Sequence, residues 1–130
     1  MNIRPAALLL TPLALAACTP DNPANTPPPA PAATQIGAAV DCLSVTRFNN
    51  TRIRDDRTID FFGGAGNQIW RVTMPNGCPG LKSAGTFSYE TSLTQLCKQD
   101  IIYPLQQLGG SYQRMGGCGM GAFVPVKLAK

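Results

Sequence analysis

Histidine is absent from this chain, and with it go the side chain most used as a general base near neutral pH and the commonest metal ligand. Charge is scarce as well: Asp, Glu, Lys and Arg make up 14% of 130 residues, where soluble domains average about 25%. No apolar run approaches the roughly 20 helical residues that a bilayer core requires. These gaps argue against imidazole-based catalysis, against a permanent membrane-spanning helix and against a heavily charged nucleic-acid binder. The length leaves room for one small domain plus a further segment rather than a two-domain enzyme. What is abundant is Gly (13) and Pro (12), a composition that favours turns and short strands over long helices.

The first residues predict location. Met1 to Arg4 carry one positive charge, and Pro5 to Ala17 form an apolar run of about 13 residues, the layout of a bacterial export signal. The run ends Leu15-Ala16-Ala17-Cys18, which resembles the lipobox of bacterial lipoproteins. That resemblance implies removal of residues 1–17 and a mature N-terminus at Cys18 carrying thioether-linked diacylglycerol and an amide-linked acyl chain such as palmitate. An ordinary secretory signal competes, because Ala14-Leu15-Ala16 also fits small-x-small cleavage. Cysteine parity favours the lipoprotein: five cysteines leave an odd thiol in an oxidising compartment, whereas giving Cys18 to lipid leaves an even four. Each buried methylene adds roughly 0.8 kcal/mol, so several acyl chains anchor durably where one does not. Thr19 and Pro20 follow Cys18 in place of the Asp that retains many lipoproteins at the inner membrane. The expected address is therefore the cell envelope, at the outer membrane facing the periplasm.

From Thr19 to Thr34 the chain carries Pro20, Pro23, Pro27, Pro28, Pro29 and Pro31 among Ala, Asn and Thr. Such a segment buries too little to offset its ordering entropy. The expectation is a tether over residues 18–40, in which the proline-rich stretch from Thr19 to Thr34 alone can hold the module up to roughly 50 Å from a bilayer in polyproline geometry. A compact domain over 41–126 and a short tail over 127–130 complete the division.

Within that domain Trp70, Val72 and Met74 alternate with Arg71 and Thr73, and Phe87 and Tyr89 alternate with Thr86, Ser88 and Glu90, the period-two signature of strands. Leu43 and Val45, Ile53, then Ile59 and Phe61 suggest earlier strands that turn at Asp55-Asp56, with Asp60 on the wet face. Gly63 to Asn67 supplies another turn. Ile101 to Tyr103 and Phe123 to Val126 read as later strands, the last at a sheet edge because Pro125 has no N–H to donate. Pro104 to Leu108 is expected to form one helical turn ended by Gly109. The predicted fold is all-β with minor helical turns: a small antiparallel barrel or sandwich of five or six strands, stapled by disulfides.

Cys42, Cys78, Cys97 and Cys118 lack the close C-x2-C spacing and the histidines of a zinc site, so no metal is assigned and two disulfides are expected. Spacing alone leaves all three connectivities open. The motifs Asp55-Asp56-Arg57-Thr58-Ile59, Cys78-Pro79-Gly80-Leu81, Phe87-Ser88-Tyr89, Leu96-Cys97, Asp100-Ile101-Ile102 and Cys118-Gly119-Met120-Gly121 resemble an uncharacterised family of small exported bacterial proteins, a domain of unknown function. The likeness spans Asp41 to Val126, and its most specific element is the Asp-Arg-Thr run followed by Cys-Pro-Gly-Leu. Some members keep only the cysteines equivalent to Cys78 and Cys118. The resemblance therefore implies Cys78 with Cys118 and, by subtraction, Cys42 with Cys97; it implies no activity.

Chemistry-bearing patterns are few. Gly117 to Ala122 spells G-x-G-x-x-A, but lacks the following helix and acidic residue of a dinucleotide site, and reads as a glycine-rich turn around a disulfide. Asp55, Asp56 and Asp60 lack calcium-loop spacing, and Arg57 is placed to clamp one of them with its planar fork. Arg47, Arg52, Arg54, Arg57 and Arg71 form the strongest set: Arg52 and Arg54 share a strand face, and pairing can bring Arg57 and Arg71 alongside as an anion-attracting patch. Net charge is +4 before loss of Arg4, too weak to argue for nucleic acid. No catalytic residue and no cofactor is assigned. The leading expectation is a lipid-anchored envelope protein acting as a non-catalytic structural or interaction module, its partners a membrane through the N-terminal lipid and an envelope protein. The alternatives are a binder of anionic lipid or glycan through Arg52, Arg54, Arg57 and Arg71, or an inhibitor of a wall-degrading enzyme.

Overall fold

A computed structural model describes residues 29–64, 67–91 and 93–130. The leader, Cys18 and the tether up to residue 28 lie outside the described residues. The strands are β1 (Ala33–Gln35), β2 (Cys42–Ser44), β3 (Asn50–Ile53), β4 (Thr58–Phe62), β5 (Ile69–Thr73), β6 (Phe87–Tyr89), β7 (Gln95–Cys97), β8 (Ile101–Leu108), β9 (Ser111–Arg114), β10 (Cys118–Gly119) and β11 (Phe123–Leu128). One helical turn, α1 (Leu81–Ala84), interrupts them. The protein is thus a small antiparallel all-β fold, built from more and shorter strands than the five or six expected.

The main sheet has the order β1-β11-β5-β4-β3, a second has β10-β8-β6 with β9 on the far half of β8, and β2 pairs β7. Alternation along β4 and β5 sends Ile59, Phe61, Trp70 and Val72 to one face, where they are buried. Leu43 and Leu96 from the β2-β7 ribbon, Ile102 from β8 and Leu81 from α1 complete the same core. Phe61 is its hub, meeting Phe48 and Phe123 edge to face at centroid distances of 5.0 and 5.3 Å.

Two disulfides staple this body. Cys42–Cys97 locks β2 to β7 at directly opposed positions, and Cys78–Cys118 ties the turn after β5 to β10. These are the pairs the family resemblance implies. In the loop-entropy account, closing 40 or 55 residues of sequence separation contributes about 4 kcal/mol for either bridge alone, less for both together because the loops interleave.

Four local expectations are corrected. Pro104 to Leu108 is not helical but part of β8. Leu105 N donates to Thr86 O, so the β6 ladder bonds skip Pro104, and its missing donor does not interrupt them. Gly109 and Gly110, at φ 57° and 85°, close the β8-β9 hairpin as a two-residue turn that needs positive φ at both positions. Second, β11 is an interior strand despite Pro125. The β1 register ends at Gln35 opposite Val126, one residue short of the missing N–H, and Pro125 contributes only its carbonyl, to Ile36 N. Third, the folded body begins before residue 41, because Ala33–Gln35 forms β1 and Val40 bridges Phe123, and it runs to Leu128. Fourth, Asp60 is not on a wet face; it is fully buried.

Gly121 shows how tightly the seam between the sheets is closed. A Cβ there would overlap the backbone carbonyl oxygen of Thr73, which cannot move without breaking β5. We expect Gly121→Ala to destabilise the fold by about 1–3 kcal/mol, read as a lowered midpoint in urea, with Gly119→Ala, which meets open space, as the neutral control.

Candidate functional site

Two features occupy the β3 side of the main sheet. The first lies on its outer face. The registers Arg52↔Asp60 and Asp60↔Arg71 place these three side chains in one row across β3, β4 and β5, and Arg54 follows on the same face two residues after Arg52. Arg71 reaches Asp60 with two nitrogens, Nε to Oδ1 at 2.7 Å and Nη2 to Oδ2 at 2.9 Å, while Arg54 Nε donates to Oδ2 at 2.7 Å. The arginine side chains are 14% and 16% exposed and the aspartate not at all. Arg71 Nη1 also donates to the carbonyl of Pro31 at 2.7 Å, so the proline-rich approach to β1 is held to the sheet by the guanidinium that grips Asp60.

Burial by itself pushes the Asp60 carboxyl up. The hydrogen bonds and positive charges of Arg71 and Arg54 together outweigh that and hold it below its ordinary value. The hydrogen bond to Asp60 in turn raises Arg71. With donors on both oxygens and no solvent access, Asp60 is an acceptor that orders the sheet face, not a base free to take a substrate proton.

Of the residues proposed as an anion patch, Arg52, Arg54 and Arg71 do converge on this face, but two of them neutralise Asp60. Arg52 is exposed, its guanidinium 5.3 Å from the Phe62 ring centroid. Arg57 lies apart: its Nη1 donates to Pro75 O, and its backbone N–H, rather than its fork, meets Asp55. The Asx turn at Asp55 therefore stands, while the clamp assigned to Arg57 belongs to Arg54 and Arg71. Arg47 is elsewhere, stacked 5.0 Å over Trp70.

The second feature is a cleft of about 380 Å³ between β3 and β6, lined by Phe48, Thr51, Ile53, Phe87 and Tyr89 among others. Among the described residues both strands are sheet edges. Arg54 N donates to Thr58 O, so the bonded pairs of that ladder fall at Arg54 and Arg52, and the N–H and C=O groups of Thr51 and Ile53 turn away from β4. By the same alternation the Leu105 to Thr86 bond leaves Phe87 and Tyr89 turned away from β8. The residues with unpaired edges are the ones that line the cleft. The alternation of Phe87 and Tyr89 marks a strand but not an open edge, because which neighbour a strand lacks is a property of topology.

Among the described residues, no group of three or more Cys, Asp or Glu side chains is placed to hold a metal ion, and no helix is long and apolar enough to cross a membrane. No family model, curated protein or solved structure matches the chain.

The Asp60 clamp sets an acid limit. A carboxyl depressed in the folded state stabilises fully above the unfolded aspartate value of about 3.9, and that contribution is lost as pH falls through the lower folded value. Asp60→Asn leaves two partly buried guanidinium groups uncompensated and is expected to cost about 3 kcal/mol at pH 7. Denaturant titrations from pH 2 to 7 should also show a shallower acid decline in the variant than in the native protein.

Proposed function

We propose that this chain is an exported lipoprotein of the cell envelope whose β domain is a non-catalytic interaction module held near a membrane by lipid on Cys18. The observation that carries the reading is the closure of Cys42, Cys78, Cys97 and Cys118 into two bridges. Bridges of this kind persist in oxidising compartments, and their pairing leaves the cysteine that ends the Leu15-Ala16-Ala17-Cys18 run available for acylation. Eleven peptide steps separate Cys18 from Pro29, which limits the body's distance from the anchor to about 40 Å. That is shorter than a tether running to residue 40 allows, because residues 29–40 are part of the body.

The reading as a binder of anionic lipid or glycan through Arg52, Arg54, Arg57 and Arg71 is less favoured, since Arg54 and Arg71 are engaged by Asp60 and Arg57 by a backbone carbonyl. What remains open on that face is Arg52.

The anchor is tested by expressing Cys18→Ala alongside the native chain in an exporting bacterium fed labelled palmitate. The native protein should carry label and sediment with membranes, and the variant should lose the label. A native protein without label, or a variant that carries as much of it, contradicts the proposal.

A further inference from the structure

The cleft between β3 and β6 is bounded by two strand edges whose backbone groups have no partner among the described residues and which are not bonded to each other. Thr51 presents its N–H and C=O on one side; Phe87 and Tyr89 present theirs on the other. Ile53 contributes its N–H, its carbonyl being taken by Lys82 Nζ at 3.1 Å. Exposed edges of this kind are templates for a further strand. Here the template is double, and the space between has the apolar floor of a core: Phe48 and Ile53 pack against the buried cluster from one wall, Phe87 and Tyr89 from the other. The Phe87 ring stands 6.5 Å from both Phe61 and Tyr89.

We propose that this slot binds an extended peptide from a partner protein, which adds as a strand to β3 and β6 at once and closes the two sheets into a continuous wall. The two faces of such a strand differ. Alternate side chains point inward toward Phe48, Phe87 and Tyr89 and must be apolar. Those between them point outward beside exposed Arg52, and the adjoining surface depression, which shares Thr51, Ile53 and Gly85 with the cleft, adds the ammonium of Lys82, its Arg54 being already paired with Asp60. No Asp or Glu lines either depression among the described residues. The chemistry that fits is an acidic and apolar alternation. The chain's own proline-rich approach is a poor occupant, because proline lacks the donor that both ladders require. A second copy pairing β3 against β3 would bring two Arg52 side chains close together.

This inference deepens the interaction-module reading and rests on it only for its biological setting, since peptide binding and membrane anchoring are read out separately. The probe is a capped synthetic peptide of about nine residues alternating Glu and Val, added to full-length protein in detergent. Amide exchange at Thr51, Ile53, Phe87 and Tyr89 should slow by about tenfold or more. Binding followed by fluorescence anisotropy should weaken by about tenfold or more when alternate peptide nitrogens are methylated, or when Lys replaces Glu. Arg52→Glu, an exposed change that leaves the core intact, should reverse the preference between the Glu and Lys peptides. Four results would overturn the proposal: no protection, protection of β3 or β6 alone, equal binding of the methylated peptide, or a β3-paired dimer without peptide. A failed peptide with native Cys18 acylated would remove the slot and leave the anchor; bound peptide with Cys18 bare would do the reverse.

Discussion

The Cys78–Cys118 bridge sets the shape of this domain, because it joins the two sheets at one seam and leaves the other to close by packing alone. Cys78 lies five residues past Thr73, the end of β5, and Cys118 begins β10, the edge of the second sheet farthest from β6. On that side the chain continues directly from β10 into β11, Met120 N bonds Asp100 O, and Gly121 passes beneath the Thr73 carbonyl with no room for a methyl group. On the opposite side β3 and β6 face one another with no strand between them among the described residues. A small β body of this length buries a thin core, and a covalent tie at one seam lets it hold two sheets together without completing the barrel at the other.

The outer face of the main sheet solves a different problem. A strand carrying Ile59 and Phe61 inward must place Asp60 outward, where β5 supplies Arg71 opposite it and the residue just past β3 supplies Arg54 diagonally. The fork of Arg71 then has one nitrogen left, which takes the carbonyl of Pro31. A charge that would otherwise be costly to bury becomes the point where the end of the proline-rich segment attaches, and β1 is led from there onto β11. Replacing Arg71 by Lys would keep the charge and lose this geometry, since an ammonium offers no planar fork.

Local patterns made much of this legible. Period-two alternation located β5 and β6, apolar residues marked β4 and the start of β8, the Asp55 turn was readable from its side-chain chemistry, and cysteine parity anticipated two bridges. What escaped was decided by partners distant in sequence. Pro125 looked like an edge residue because proline cannot donate, yet β1 stops one residue before the donor is needed. Pro104 looked like a helix start, yet it sits where the β6 ladder makes no bond. Asp60 looked solvated because its own strand gives it no partner; the two arginines that bury it come from flanking segments whose register no local window contains. A signal was present all the same, in an aspartate set between Ile59 and Phe61 with arginines on both adjoining strands.

The bridged seam is the premise for both the open cleft and the reading of Cys18, so the most direct test is a non-reducing peptide map of protein recovered from its envelope compartment and alkylated before proteolysis. The account predicts two linked peptides, Cys42 with Cys97 and Cys78 with Cys118, and no alkylated thiol among those four. An alkylated Cys78 or Cys118, or a bridge joining either to Cys42 or Cys97, would contradict it.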